Sequence, residues 1–274
     1  MTLFWAGVVV GGVVALTVGV MLLVRRTAPA GSYFEDGDRA AGVFGVIATG
    51  FAVMLGFVIF LAFESYDTSR SGAEAEAQVV AQQFQTAQLL PRAARAPLSD
   101  ALVCYARNVA YMEWPQMRSG NAANLINPWS VAMFRVLQPI EPRTPSEQAA
   151  YGKWLDQSTD RQSARSDRTH GAEGVIPAPL WIVLFISAGI IFVFMLFFAD
   201  SGERAFVQAT MMGGVAVMIT SMLLLLWFLD NPYHSGVGGL PPTAMQRAIS
   251  QTEQAARLVG IQITPPCDAH GLAS

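Results

Sequence analysis

The chain of 274 residues is 53% hydrophobic and 14% charged, with a mean hydropathy of +0.39 and a formal net charge of −3. Soluble domains carry about 25% charged residues, so this balance argues against an ordinary soluble enzyme and for a polytopic membrane protein. A single lysine, Lys153, and no basic patch exclude a nucleic-acid binder and a clamp for anionic lipids.

Four apolar stretches follow in two pairs: Leu3 to Val24, Gly42 to Phe63, Leu180 to Ala199 and Phe206 to Leu229. Each can cross a hydrocarbon core of about 30 Å as a helix, and none has a charge in its interior. Ala28-Pro29-Ala30 looks faintly like a cleavage site for a secretion signal. No basic residue precedes Leu3, however, the run is longer than a signal core, and Arg25-Arg26 stand before the triplet, so the first stretch is expected to remain as a span.

Four crossings put the long polar segment Glu64 to Pro177 and the tail Asp230 to Ser274 on one side. The short connections Arg25 to Ala41 and Asp200 to Ala205 lie on the other. The expected fold is all-α: a first transmembrane hairpin over 1–63, a helical extramembrane domain over 64–177, a second hairpin over 178–229, and a tail over 230–274 with a short helix.

In the extramembrane segment, Ala73, Ala77, Val80, Phe84 and Ala87 recur at spacings of four and three, so the second span is expected to run on as an amphipathic helix. Leu98, Leu102, Tyr105, Val109 and Met112 repeat the pattern, with Pro91 and Pro97 marking the turn between the two stripes. Packing of the stripes within one chain and an intersubunit coiled coil are both consistent with this. Thr144-Pro145-Ser146-Glu147 reads as a capping box with proline at the first helical position. The helix that follows loses its apolar face from Gln157 to Arg168, which predicts a solvated arm. In the tail, Thr243 and Gln246 form a second capping-box pair before Ala248, Ile249, Thr252, Ala256 and Val259.

No catalytic or cofactor-binding pattern stands out. His170, His234 and His270 are isolated, and nucleophile elbows and phosphate loops are absent. No enzyme activity, cofactor or metal is therefore expected. The two cysteines, Cys104 and Cys267, fall on the same side of the membrane. If that side is oxidising they can pair and tie the tail to the domain; two free thiols are the other reading.

Small residues mark the spans: Ala48, Ala52 and Gly56 at four-residue spacing, Gly7 and Gly11 in the first, Gly213 and Gly214 in the fourth. Such faces let another helix approach closely. The run Met54-Leu55-Gly56-Phe57-Val58-Ile59-Phe60-Leu61, ending in Glu64-Ser65-Tyr66-Asp67, resembles the second span of bestrophin anion channels, where Leu-Gly-Phe sits in the pore-lining helix. Asp230-Asn231-Pro232-Tyr233-His234-Ser235-Gly236 is similar to the Asn-Pro-Phe-Gly that follows the last span there. The whole chain resembles the four-span bestrophin-like proteins. The acidic calcium-binding run of the animal channels is replaced by Val237-Gly238-Gly239-Leu240, so calcium gating is not implied.

The resemblance implies an oligomeric ion channel, with Phe57 at an aromatic constriction position and Val53 and Thr49 one and two turns earlier. On a helix these three share one face, and Phe60 is expected to lie off it. The alternative is a membrane-anchored interaction or regulatory protein without transport. Partners would be the lipid bilayer and either further copies of the chain or a protein bound through the helical domain. The expected location is the plasma (inner) membrane. Arg25, Arg26, Arg39 and Arg204 on the hairpin side, against Arg247 in the tail, favour the domain and both termini outside the cytoplasm, whereas the bestrophin likeness implies the reverse.

Overall fold

The computed structural model describes residues 3–29, 31, 33–121 and 126–273; Ala30 of the cleavage-like triplet and the C-terminal Ser274 lie outside the described residues. The described chain is all helical, with a lone β-bridge between Cys267 and Ala273. Helices α1 (Leu3–Arg25), α2 (Gly37–Ala87), α7 (Ala178–Phe197) and α8 (Ala205–Asp230) are each long and apolar enough to cross a membrane. Between them come α3 (Arg92–Asn108), a π-helical turn (Val109–Glu113), α4 (Trp114–Arg118), α5 (Pro128–Leu137) and α6 (Pro145–His170), and α9 (Thr243–Leu258) follows. The chain divides into two compact units: Met1–Glu64 with Val175–Asp230 and Ser235–Gly238, and Ser65–Gly174 with Asn231–His234 and Gly239–Ser274. Helix α2 contributes to both.

The core of the first unit is a set of apolar seams. Phe51, Leu55, Val58 and Ala62 of α2 are buried with Leu184, Ala188, Ile191 and Met195 of α7, and with Met212, Ile219 and Leu226 of α8. Spacings of three, four and seven keep one edge of each helix facing its neighbours, as in left-handed bundles. Because lipid is as apolar as these side chains, close packing rather than escape from water holds the seams together. Gly213 of α8 faces α1: a Cβ there would stand 3.6 Å from Val14. By contrast, a Cβ on Gly7, Gly11 or Gly56 would meet nothing, so within one chain those small residues receive no helix.

The hairpin connections are joined by Arg25, whose Nε donates to the Asp200 carbonyl at 2.9 Å and whose Nη2 donates to the carbonyls of Ser201 and Glu203. The Asp200 carboxylate in turn accepts the backbone N–H groups of Gly31 at 2.9 Å and Gly202 at 2.7 Å. At the other end of this unit, Asp230 accepts the N–H groups of Val175 and Ile176 at 2.7 and 2.9 Å, satisfying donors just ahead of α7.

In the second unit, both apolar stripes read from the sequence are buried in one core, with Met112 partly buried at the end of the second. Packing within one chain thus accounts for them. Three local expectations are corrected. The turn between the stripes centres on residues 88–91, and Pro97 lies inside α3, where the helix continues although proline offers the Ala93 carbonyl no i→i−4 donor. The Thr144–Glu147 capping box forms as expected, but the Thr243–Gln246 pair does not: Pro242 is the N-cap of α9, with no side-chain cap bond. Finally, the stretch Gln157 to Arg168 is no solvated arm. Its Gln157, Arg161, Ala164 and Arg168, at spacings of four, three and four, form a buried row.

Candidate functional site

At about 100° per residue, Thr49, Val53 and Phe57 form a narrow stripe on α2, diametrically opposite the buried Phe51, Leu55 and Val58. The stripe is open: Val53 is 69% and Phe57 63% exposed, and Thr49 is exposed as well. Phe60, expected off this face, is 55% exposed and falls on it. Seven residues make two turns less about 20°, so Phe60 lies beside Val53. Ala52 and Gly56 border the stripe and are also exposed. This segment of α2 therefore presents a face made of one hydroxyl, bulky apolar side chains and small neighbours, with no charge between Thr49 and Phe63.

The post-span motif sits in the second unit. The Pro232 carbonyl accepts from Leu240 N–H at 2.7 Å, and the Asn231 carbonyl contacts His234 Nδ1 at 2.7 Å. Buried Tyr233 stands edge-on to Trp114 at 5.5 Å, and its hydroxyl donates to the Arg168 carbonyl near the end of α6. Here the motif closes a turn directly after α8. Among the described residues, no cluster of three His, Cys, Asp or Glu side chains could hold a metal ion.

Cys104 of α3 and Cys267 of the tail are joined in the structure, with Cα atoms 5.8 Å apart. The tail is anchored further where the Gly271 carbonyl accepts Trp129 Nε1 at 2.7 Å and Asn108 Nδ2 at 3.4 Å. Gly271 has φ +81°, and a Cβ there would fall 2.3 Å from Asn108 N, so no other residue fits this approach.

Sequence reasoning missed the most polar interior feature, a cluster between α2, the π-turn and α6. Glu76 and Arg168 are both fully buried. Arg168 Nε donates to Glu76 Oε2, and its Nη2 reaches Glu113 Oε2 at 2.7 Å. Arg165 Nη1 holds both oxygens of Glu113, at 2.7 and 2.8 Å. The Tyr105 hydroxyl donates to Glu76, and Asn127 Nδ2 donates to Glu113 at 3.0 Å. Burial pushes the Glu113 carboxyl up, but the charges of Arg168 and Arg165 outweigh it and leave the group below the ordinary range. Burial likewise opposes the charge on Arg168, and Glu76 and Glu113 reverse that, raising it. Burial first and Glu76 second raise the Tyr105 phenol, which stays protonated. The π-turn, one residue wider than an α-turn, is where Glu113 enters this core. Two signals for the cluster were present in the sequence: Glu76 sits on the apolar stripe between Ala73 and Val80, and Arg161, Arg165 and Arg168 share one helical face.

Taken together, the helical fold and the open, uncharged face of α2 describe a multi-pass membrane protein. Residues 3–244 match the Bestrophin-like domain, and the chain belongs to the Bestrophin-like family. Two crystal structures of variants of a bacterial bestrophin homologue from Klebsiella pneumoniae share its fold. The first is 13% identical with a TM-score of 0.66, covering 92% of this chain and 99% of the other. The second is 12% identical with a TM-score of 0.68, covering 90% and 98%. No curated protein matches the chain.

Proposed function

We propose that the chain is one subunit of an oligomeric, anion-conducting channel whose pore is lined by Thr49, Val53 and Phe57, with Phe60 on the same stripe. The observation that carries this reading is the exposure of bulky apolar side chains on the α2 face turned away from the chain's own helices. Ala52 and Gly56 beside it leave room for a helix of another copy. A ring of Val53 and Phe57 from several subunits would exclude water when narrow, so alanine there would wet the passage. Membership of the Bestrophin-like family supports the channel, and the anchored interaction protein without transport is the reading left if vesicles carrying the protein conduct no ion. The test is ion flux into liposomes from wild type, Val53→Ala and Phe57→Ala, with Phe185→Ala on α7 as an exposed apolar control.

The protein is further proposed to reside in the plasma (inner) membrane with its extramembrane unit outside the cytoplasm. Arg25, Arg26, Arg39 and Arg204 near the hairpin ends support this orientation, as does the pairing of Cys104 with Cys267. Alkaline phosphatase fused after Ser274 is expected to be active in a bacterial host; activity only on fusion at Gly31 would reverse the orientation. The reading assigns no catalysis and no cofactor to the chain.

A further inference from the structure

Arg161 is 3% exposed, yet among the described residues no carboxylate pairs with it directly, and Glu76 acts on it only from a distance. Its Nη1 donates to Gln83 Oε1 and contacts Met133 Sδ at 3.5 Å, and the guanidinium lies 4.8 Å from the centre of the Tyr105 ring. All three partners are neutral. The acids of the cluster are already engaged: Glu76 by Arg168 and Tyr105, Glu113 by Arg165, Arg168 and Asn127. Arg165 keeps an edge in solvent, with its side chain 17% exposed, whereas Arg161 has no such relief. Among the described residues nothing partners the buried Arg161 Nε, nor Oε1 of Gln157, one turn earlier on α6 and also 3% exposed.

A buried cation lacking a counter-ion is strongly unfavourable, and so is a buried polar atom lacking a hydrogen bond. Three guanidiniums here face two carboxylates. A water between Arg161 and Gln157 would satisfy both orphan atoms but leave the charges unbalanced. An anion cures both faults if the Gln157 amide is turned over, since the two ends of an amide have nearly the same shape and their assignment follows the partners present.

We propose that the second unit holds a small monovalent anion of halide size beside Arg161, with Arg161 Nε–H and the Gln157 amide as its donors. The site is internal to the extramembrane unit and independent of whether the chain conducts ions.

The test uses the full-length protein crystallised in sodium bromide. The proposal expects anomalous bromide density within hydrogen-bonding reach of Arg161 Nε; a water alone there, or no density, overturns it. In solution, bromide at ten times its dissociation constant should shift the unfolding equilibrium about tenfold relative to gluconate. Arg161→Met removes the shift, and Gln157→Leu, which keeps the arginine, weakens it. A bromide effect unchanged in both variants would also overturn the site. If neither variant folds, the bromide density of the wild type decides.

Discussion

Along the single helix α2, the solvent can be read from which residues face it. In the membrane unit the outward residues are Val46, Val53, Phe57 and Phe60 and the inward ones Phe51, Leu55 and Val58. Further along, in the extramembrane unit, Glu74, Gln78 and Gln85 face outward while Glu76 and Gln83 are buried beside Ala73, Val80 and Phe84. In lipid an apolar face carries no penalty, so hydrophobicity does not say which side of a helix meets its neighbours; seam spacing does. In water, burying Glu76 is tolerated only because each of its oxygens finds a donor. The membrane unit should therefore be sensitive to shape and forgiving of exposed substitutions, and the extramembrane unit should be sensitive to the loss of any one polar partner.

The contrast is sharpest at Arg168. Replacing it by methionine leaves the buried Glu76 carboxylate with the Tyr105 hydroxyl but no cation, and a broken buried pair costs about 3–5 kcal/mol. Denaturant unfolding of the purified protein should show a loss of that size, whereas Glu76→Leu combined with Arg168→Met should recover much of it. A loss below about 1 kcal/mol for Arg168→Met would make this pair no stronger than a surface one and contradict the sensitivity of the extramembrane unit to a lost partner.

Next comes the covalent link across the same unit. Cys104→Ser is expected to cost about 2–4 kcal/mol, because the bond restricts a long loop of the unfolded chain. Without reductant, wild-type protein in intact cells should resist thiol alkylation at Cys104 and Cys267. Rapid labelling of both would remove the link and weaken the outward orientation of the domain.

Acid should act on the extramembrane unit through Glu113. Its folded carboxyl titrates below the unfolded one, so the folded state binds fewer protons and the stability it supplies is fully present above the unfolded value of about 4.3. That contribution is lost as pH falls through the lower, folded value. Unfolding midpoints followed from neutral to acid pH should fall, and in Glu113→Gln they should fall less steeply; equal slopes would remove the ion cluster from the account.

How much of this was legible beforehand differs between the two units for the same reason. The four spans could be read because a run of apolar residues as long as Leu180 to Ala199 has few other uses, and the Thr144 capping box because both partners lie within one turn. The buried row from Gln157 to Arg168 could not. Its polarity is that of a solvated helix, and it takes tertiary contacts such as that of Arg168 with Glu76, 92 residues away, and of Arg161 with Gln83 to turn it inward. Phe60 shares the stripe through the seven-residue repeat from Val53, which the four-residue spacing of Thr49, Val53 and Phe57 does not show. Pro97 and Thr243 show that a turn or cap residue announces a boundary only if the neighbouring chain leaves its place vacant, as Pro91 and Pro242 did not.

The smallest expected effect on stability belongs to the open stripe of α2. Phe57→Ala should change the unfolding free energy by no more than about 0.5 kcal/mol if the side chain packs on nothing within its own chain. The same substitution bears most directly on the central claim when ion flux is measured in liposomes containing the full-length protein. Phe57→Ala, alone or with Val53→Ala, is expected to raise chloride flux by about tenfold, the equivalent of about 1.4 kcal/mol in the barrier, while Phe185→Ala leaves it unchanged. Vesicles of wild type and both stripe variants that remain equally tight to chloride, sodium and potassium would contradict it.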